Sequence, residues 1–129
     1  MQRGATDGER VASYVLRQLG KPYVFATSGP DTFDCSGLVA AAYREVGVQI
    51  PAYTFTQATL GREVDTRTEP IRAGDLIFTR GGTPPSDLGH VGIATSATEW
   101  VRAPRSGDVV KAGPIPTTDV QMVRRLSEA

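Results

Sequence analysis

The chain has 129 residues, and its fourteen basic side chains (Lys and Arg) balance fourteen acidic ones. This length favours one domain, 1–129, and a net charge of zero gives no overall field that would attract nucleic acid or an anionic membrane. A single cysteine excludes an intrachain disulfide, and one histidine beside one cysteine cannot supply a zinc site of the usual kind. We therefore expect no structural metal.

The N-terminal segment, residues 1–7, lacks the apolar core of a signal peptide. No stretch of the chain approaches the ~20 apolar residues that a membrane-spanning helix needs. These features predict a cytoplasmic protein, an excised domain, or a product delivered by other means such as a phage particle.

Two helices are predicted in the first half of the chain. Asp7 is a plausible N-cap for a helix that extends to Leu19, and apolar residues at helical spacing predict a second helix over 35–46. The Gly- and Pro-containing segment 22–34 between them is predicted to be extended. Over 48–72 only a short helical turn, around 56–60, is predicted.

Five short β-prone runs follow in the second half of the chain. They cover 75–79, 90–95, 99–102, 109–111 and 120–126. Helices followed by closely spaced strands predict an α+β domain, with N-terminal helices packed on an antiparallel sheet of about five strands. The loop 80–89 has two interpretations, the border of a substrate groove or a long hairpin connection.

The only cysteine and the only histidine both stand at the start of an apolar run. Cys35 begins the predicted second helix, where unpaired backbone N–H groups and the helix dipole favour a thiolate. His90 begins a predicted strand. Thiol and imidazole together can perform covalent acyl transfer. Each residue also has a structural interpretation when it is taken alone. Cys35 would then be a small buried apolar residue, and His90 would be a structural histidine.

Five segments give the chain a resemblance to a known family. In order, the segments 20–23, 34–39, 74–78, 89–93 and 103–110 read GKPY, DCSGLV, GDLIF, GHVGI and APRSGDVV. Their order and spacing resemble the successive motifs of the NlpC-type cell-wall cysteine peptidases. Five motifs in register are far more specific than any one of them.

The resemblance implies a reduced papain-like fold and a role for several residues. It makes Cys35 the nucleophile and His90 its general base and later acid, with no cofactor. The Cys35 backbone N–H and the Tyr23 hydroxyl would stabilise the oxyanion, although Tyr23 has the alternative of a plain core residue. The implied partner is a peptidoglycan stem peptide, cleaved between D-γ-glutamyl and a diamino acid at the bacterial cell wall.

Asp34 and Ser36, on either side of the thiol, have two interpretations each. The resemblance implies that they help to hold the substrate peptide. As residue types preferred at helix starts they are equally candidates for capping, which we favour for Ser36, while Asp34 fits both roles. Trp100 is interpreted as a core or groove-lining residue.

Arg102 departs from the family pattern. The family usually has a polar hydrogen-bond acceptor at this third catalytic position, which would orient His90, and a guanidinium has no acceptor. Three outcomes are open. A main-chain carbonyl or another side chain orients His90, or Arg102 faces the groove and binds a substrate carboxylate, or the site is weakened. We favour the first, and we also expect the positive charge to oppose protonation of the imidazole.

Three functions are consistent with the sequence. The first is a cysteine endopeptidase acting on bacterial cell-wall peptides. The second is a peptidoglycan-binding module with the same groove and little turnover. The third is a component of a larger cell-wall, phage-tail or secretion assembly that opens the wall locally.

Overall fold

The computed structural model describes residues 6–80 and 89–126, which form three helices and one six-stranded sheet. The helices are α1 (Asp7–Leu16), α2 (Cys35–Arg44) and α3 (Thr54–Gln57). The strands are β1 (Arg62–Glu63), β2 (Leu76–Thr79), β3 (His90–Ala94), β4 (Glu99–Arg102), β5 (Lys111–Pro114) and β6 (Val120–Arg125). The sheet is antiparallel, in the order β1-β6-β2-β3-β4-β5.

The predicted α+β class is confirmed, with three differences in the elements. Strand β1 has no counterpart among the predicted strands, since two exposed charged residues carry no β signal. Strand β5 lies at 111–114 rather than 109–111. The predicted helical turn at 56–60 is α3, which begins two residues earlier. The loop predicted at 80–89 lies, except for its two ends, outside the described residues.

Helix α1 begins and ends differently from the prediction. Its N-cap is Thr6, not Asp7, because Thr6 and Glu9 form a reciprocal capping box. The helix ends at Leu16, and Leu19 is 44% exposed, so the last predicted turn buries too little apolar surface to remain helical. Val11 and Val15 are fully buried on its inner face.

Helix α2 is the central helix of the domain. It ends at Arg44 rather than at Val46, and every residue from Ser36 to Tyr43 is buried. It packs between α1 and β3, and Tyr43 donates a hydrogen bond from its hydroxyl to the Gly74 carbonyl beside β2. Because the helix is enclosed, its first residue is held in a fixed place relative to the sheet.

The two faces of the sheet bury different sets of side chains. The face toward the helices holds a large core, to which the sheet contributes Leu76, Phe78, Val91, Ile93 and Val101. The alternate residues Ile77, Ala94, Trp100 and Val123 pack on the other face with Val64. Strand β2 is therefore buried on both faces, as its continuous apolar run indicates.

A buried ion pair joins β6 to the segment before β2. Arg125 is 3% exposed and donates from Nε and Nη2 to both carboxylate oxygens of Asp75, at 2.9 and 2.8 Å. It also donates to Glu69 and to the Pro70 carbonyl, each at 3.0 Å. Four hydrogen bonds from this guanidinium thus hold the last strand against the segment before β2.

None of the three described helices is long and apolar enough to cross a membrane.

Candidate active site

Cys35 is the first residue of α2, and Asp34 is the N-cap. Asp34 Oδ1 accepts a hydrogen bond from the Gly37 N–H and Oδ2 accepts one from the Ala26 N–H, both at 2.7 Å. Each carboxylate oxygen therefore has a backbone donor, one on the helix and one on the preceding loop. The capping role of Asp34 is confirmed, whereas the side chain of Ser36, which we favoured as a cap, is not the one that caps this helix.

The loop before α2 lies directly on the start of the helix. A Cβ atom at Gly37 would come within 2.0 Å of the Thr27 carbonyl oxygen, so this position requires glycine. The loop is anchored on its other side by hydrogen bonds from the Tyr23 N–H to the Asp108 carbonyl and from the Val110 N–H to the Lys21 carbonyl. Its side chains are consequently fixed beside the thiol.

The Cys35 thiol is half-buried between α3 and β3. Its Sγ lies 3.9 Å from the Thr54 hydroxyl, and the Val91 and Ser36 backbone N–H groups also point to it. These donors favour the thiolate, but burial is the larger effect and Asp34 adds to it, so that the pKa of the thiol is raised. The predicted preference of the helix start for a thiolate is thus present in these donors, but burial outweighs it.

The His90 imidazole is the first side chain of β3 and is unprotonated at neutral pH. Burial is the main cause that lowers its pKa to about 4, and the positive charges of Arg102 and Arg105 lower it further. The ring makes an edge-to-face contact with Trp100, with 5.9 Å between ring centroids. At rest the site thus contains a neutral thiol and a neutral imidazole that is ready to accept a proton.

The lowered pKa of His90 predicts a loss of stability in mild acid. Below pH 6.5, its ordinary pKa, the unfolded chain binds a proton that the folded chain binds only near pH 4. Between pH 6.5 and 4.5 the free energy of unfolding should therefore decrease by about 2 kcal/mol. Urea denaturation at the two pH values measures this decrease, which should shrink clearly in His90→Gln; an equal decrease in that variant would contradict the assignment.

Cys35 and His90 line one cavity of about 520 Å³, which we call the histidine arm. Its other lining residues are Tyr23, Arg80, Gly89, Pro104 and Arg105. A second cavity of about 420 Å³ also reaches Cys35, and we call it the aromatic arm because Phe25, Tyr53 and Phe55 line it. Tyr23 and Gly89 line both arms. The thiol therefore stands where two hollows meet.

Tyr23 has the position and the protonation state of a hydrogen-bond donor to this junction. Its side chain is half-buried and lines both arms beside Cys35. Burial, and then the proximity of Cys35 and Asp34, raises the pKa of its phenol. The hydroxyl therefore keeps its proton at neutral pH. Ser36 is buried and lines the aromatic arm, as does Asp34.

Arg102 does not line either arm. Its guanidinium lies over the Trp100 ring, 5.7 Å from the centroid, and close to Gly113 of β5. The interpretation that it faces the groove is therefore wrong, although its charge does lower the pKa of His90 as expected.

The group that constrains the His90 ring is a side chain rather than a main-chain carbonyl. Within residues 6–80 and 89–126, no carbonyl or side chain accepts a hydrogen bond from the His90 ring. The edge contact with Trp100 is the observed constraint, and Gly92 makes room for that indole, since a Cβ there would lie 2.4 Å from it. Trp100 itself is 4% exposed, a core residue that supports the site.

Several site residues were not found from the sequence. Thr54 and the two aromatic residues beside it lie in 48–72, which has no periodicity to predict from, although the Tyr-Thr-Phe triplet alternates large apolar and small polar side chains. Arg105 belongs to one of the resembling motifs, yet the motif does not show that its side chain enters the histidine arm. Tertiary packing alone brings Thr54 to the thiol and the other residues to the cavities around it.

A helix that begins with a thiol, packed on an antiparallel sheet where a strand begins with histidine, defines the papain-like class of domain. The chain belongs to the NlpC/P60 family, whose model matches residues 20–125. The predicted family and the predicted papain-like fold are both confirmed.

Three similar proteins illustrate the relationship. The chain is 32% identical to the peptidoglycan endopeptidase RipA of Mycobacterium tuberculosis, over 85% of this chain and 26% of RipA. It is 34% identical to the murein DD-endopeptidase MepH of Escherichia coli, over 75% of this chain and 36% of MepH. The solved structure of NlpC2 from Trichomonas vaginalis superimposes with a TM-score of 0.87 at 33% identity, covering all of this chain and 49% of that one.

The chain spans less than two fifths of the length of the curated relatives that it matches.

Proposed function

We propose that this protein is a cysteine endopeptidase that hydrolyses an amide bond in peptidoglycan stem peptides. The observation that carries the proposal is that Cys35 and His90 open into one cavity, with the Tyr23 phenol beside them. Thiol, neutral imidazole and a phenolic donor are the groups that acyl transfer requires. The names of RipA and MepH, which are peptidoglycan and murein endopeptidases, support the choice of substrate.

The first step of the reaction includes proton transfer from Cys35 to His90. Because burial raises the pKa of the thiol and lowers that of the imidazole, the ion pair is not the resting state. Proton transfer therefore accompanies the attack of sulfur on the scissile carbonyl carbon. The imidazolium then gives its proton to the leaving amine, and the acyl group remains on sulfur as a thioester.

Hydrolysis of the thioester repeats these steps with water. His90 takes a proton from the water, the resulting hydroxide attacks the thioester carbonyl, and the sulfur leaves and regains its proton. In both steps the oxyanion lies where the Cys35 backbone N–H, which has no partner within the helix, and the Tyr23 hydroxyl can donate to it. Tyr23 stays a donor throughout because its phenol pKa is raised.

The bond we propose is the one between D-γ-glutamyl and the diamino acid, and the place of action is the bacterial cell wall. Asp34 and Ser36 are proposed to contact the substrate peptide from the aromatic arm, which they line. Both oxygens of Asp34 already accept backbone hydrogen bonds, so its contribution is charge rather than a free acceptor. Membership of a larger cell-wall or phage assembly remains a prediction.

Binding without turnover is the second candidate function. The absence of a described hydrogen-bond acceptor for the His90 ring favours it, because no hydrogen bond then fixes the tautomer that accepts the proton of the thiol. The same groove would then hold the stem peptide without cleaving it.

Mass spectrometry of a peptidoglycan digest separates these candidates. We expect fragments that end in D-glutamate, together with new amines on the diamino acid. The matched control is the same protein alkylated by iodoacetamide, because Cys35 is the only cysteine in the chain and its modification is unambiguous. Binding of muropeptides with no new amine after long incubation would reject the endopeptidase and support the binding module.

A further inference from the structure

We propose that the histidine arm binds the leaving half of the substrate peptide and that Arg105 binds a carboxylate of that half. The protein would then select peptides whose leaving half carries a free carboxylate. This inference rests on the proposed endopeptidase function and adds the direction of the substrate and the chemistry of one subsite.

The direction of the substrate follows from the position of His90. The imidazolium must give its proton to the leaving amine, so that amine lies on the same side of the thiol as the ring. His90 lines only the histidine arm, whereas Cys35 lines both arms. The leaving half therefore occupies the histidine arm and the acyl half occupies the aromatic arm, next to Phe25 and Tyr53.

The charge of the histidine arm is positive and local. Its lining includes Arg80 and Arg105 and, among the described residues, no carboxylate. Arg80 already interacts with another group, so the charge offered to the substrate is that of Arg105. The chain as a whole has a net charge of zero, so this field is a property of the arm rather than of the protein. A positively charged hollow next to the scissile bond attracts an anionic group of the peptide.

Arg105 has the geometry and the availability to bind that group. It is exposed, and within the described parts of the chain it forms no ion pair. Asp108, the acid whose pKa Arg105 helps to lower, lies 3.0 Å from Lys111 Nζ and is already paired. A guanidinium presents two parallel N–H donors that match the two oxygens of a carboxylate.

Binding of a carboxylate at Arg105 would also help the chemistry. The charge of Arg105 is one of the causes that keep the pKa of His90 low. A substrate carboxylate placed against that charge offsets it, so the imidazole becomes a stronger base when the correct peptide is bound. The presence of the substrate carboxylate should therefore raise kcat as well as lower KM.

Two matched peptides test the inference. The first is L-alanyl-γ-D-glutamyl-L-lysine with its free terminal carboxylate, and the second is the same peptide with a terminal amide. For the wild type we expect kcat/KM to be about tenfold higher for the acid, the size of one exposed charge-assisted hydrogen bond. In Arg105→Gln this ratio should fall close to one.

Arg67→Gln is the matched control, because Arg67 is an exposed arginine that lines neither arm. It should keep the wild-type ratio. Equal cleavage of the two peptides by the wild type, or an unchanged ratio in Arg105→Gln, would overturn the inference and leave the endopeptidase function in place. Cleavage of neither peptide would overturn the endopeptidase function and the inference together.

Discussion

Cys35→Ala will abolish peptide cleavage, with a decrease in kcat/KM of about 10⁴-fold or more. Cys35 is the only thiol in the chain, and of the described residues only Tyr23 and Gly89 also line both arms, neither of which is the nucleophile of the proposed mechanism. The alanine methyl occupies less space than the half-buried thiol, so the fold should be retained. Initial rates on a γ-D-glutamyl peptide, together with a thermal melt of each variant, measure both effects.

A variant with both Cys35→Ala and His90→Ala tests whether the two residues act together. If Cys35 and His90 act as a unit, Cys35→Ala, His90→Ala and the double variant should all lose about the same activity. Losses that multiply would show two independent contributions, such as substrate binding by one residue. Cleavage that persists in Cys35→Ala would reject the covalent mechanism.

Arg125→Met will lower the free energy of unfolding by about 3–5 kcal/mol. The substitution leaves Asp75, which is 1% exposed, without the two donors at 2.9 and 2.8 Å that balance its charge. Strand β6 is also the partner of both β1 and β2, so loss of its anchor loosens one side of the sheet. Urea denaturation followed by fluorescence of Trp100 measures the change.

The matched control for Arg125 is Arg67→Met. Arg67 forms an ion pair with Asp65 at 3.0 Å, but its side chain is 88% exposed, and such surface pairs contribute about 0–1 kcal/mol. Combining Arg125→Met with Asp75→Asn should recover part of the loss, since the buried charge is then removed. A loss in Arg125→Met no larger than in Arg67→Met would show that the buried pair adds nothing.

The elements that carry local signals were predictable from the sequence. The thiol at a helix start and the histidine at a strand start follow from short motifs, and the burial of β2 follows from its apolar run. The contributions of Thr54 and Arg105 were not predictable, because each enters the site through packing between segments distant in the chain.

The pKa of Cys35 shows why local reasoning has a limit. The start of α2 does supply donors that favour the thiolate, as the sequence predicts. Burial by α3 and β3 exceeds that effect, and neither contact can be inferred from the residues around position 35. The same limit applies to Arg102. The effect of its charge on the pKa of His90 was predictable from the sequence, but its position over the Trp100 ring was not.

The two arms draw on largely separate stretches of the chain. The aromatic arm comes from 23–36 and 52–55, and the histidine arm takes its own residues from the sheet side, at 80, 90 and 104–105. Of the described residues, only Tyr23, Cys35 and Gly89 line both arms. Exchange of either stretch between homologues should thus change the specificity for one half of the peptide and leave the specificity for the other half unchanged. Substrate specificity on the two sides of the scissile bond can therefore evolve independently while the catalytic residues stay the same.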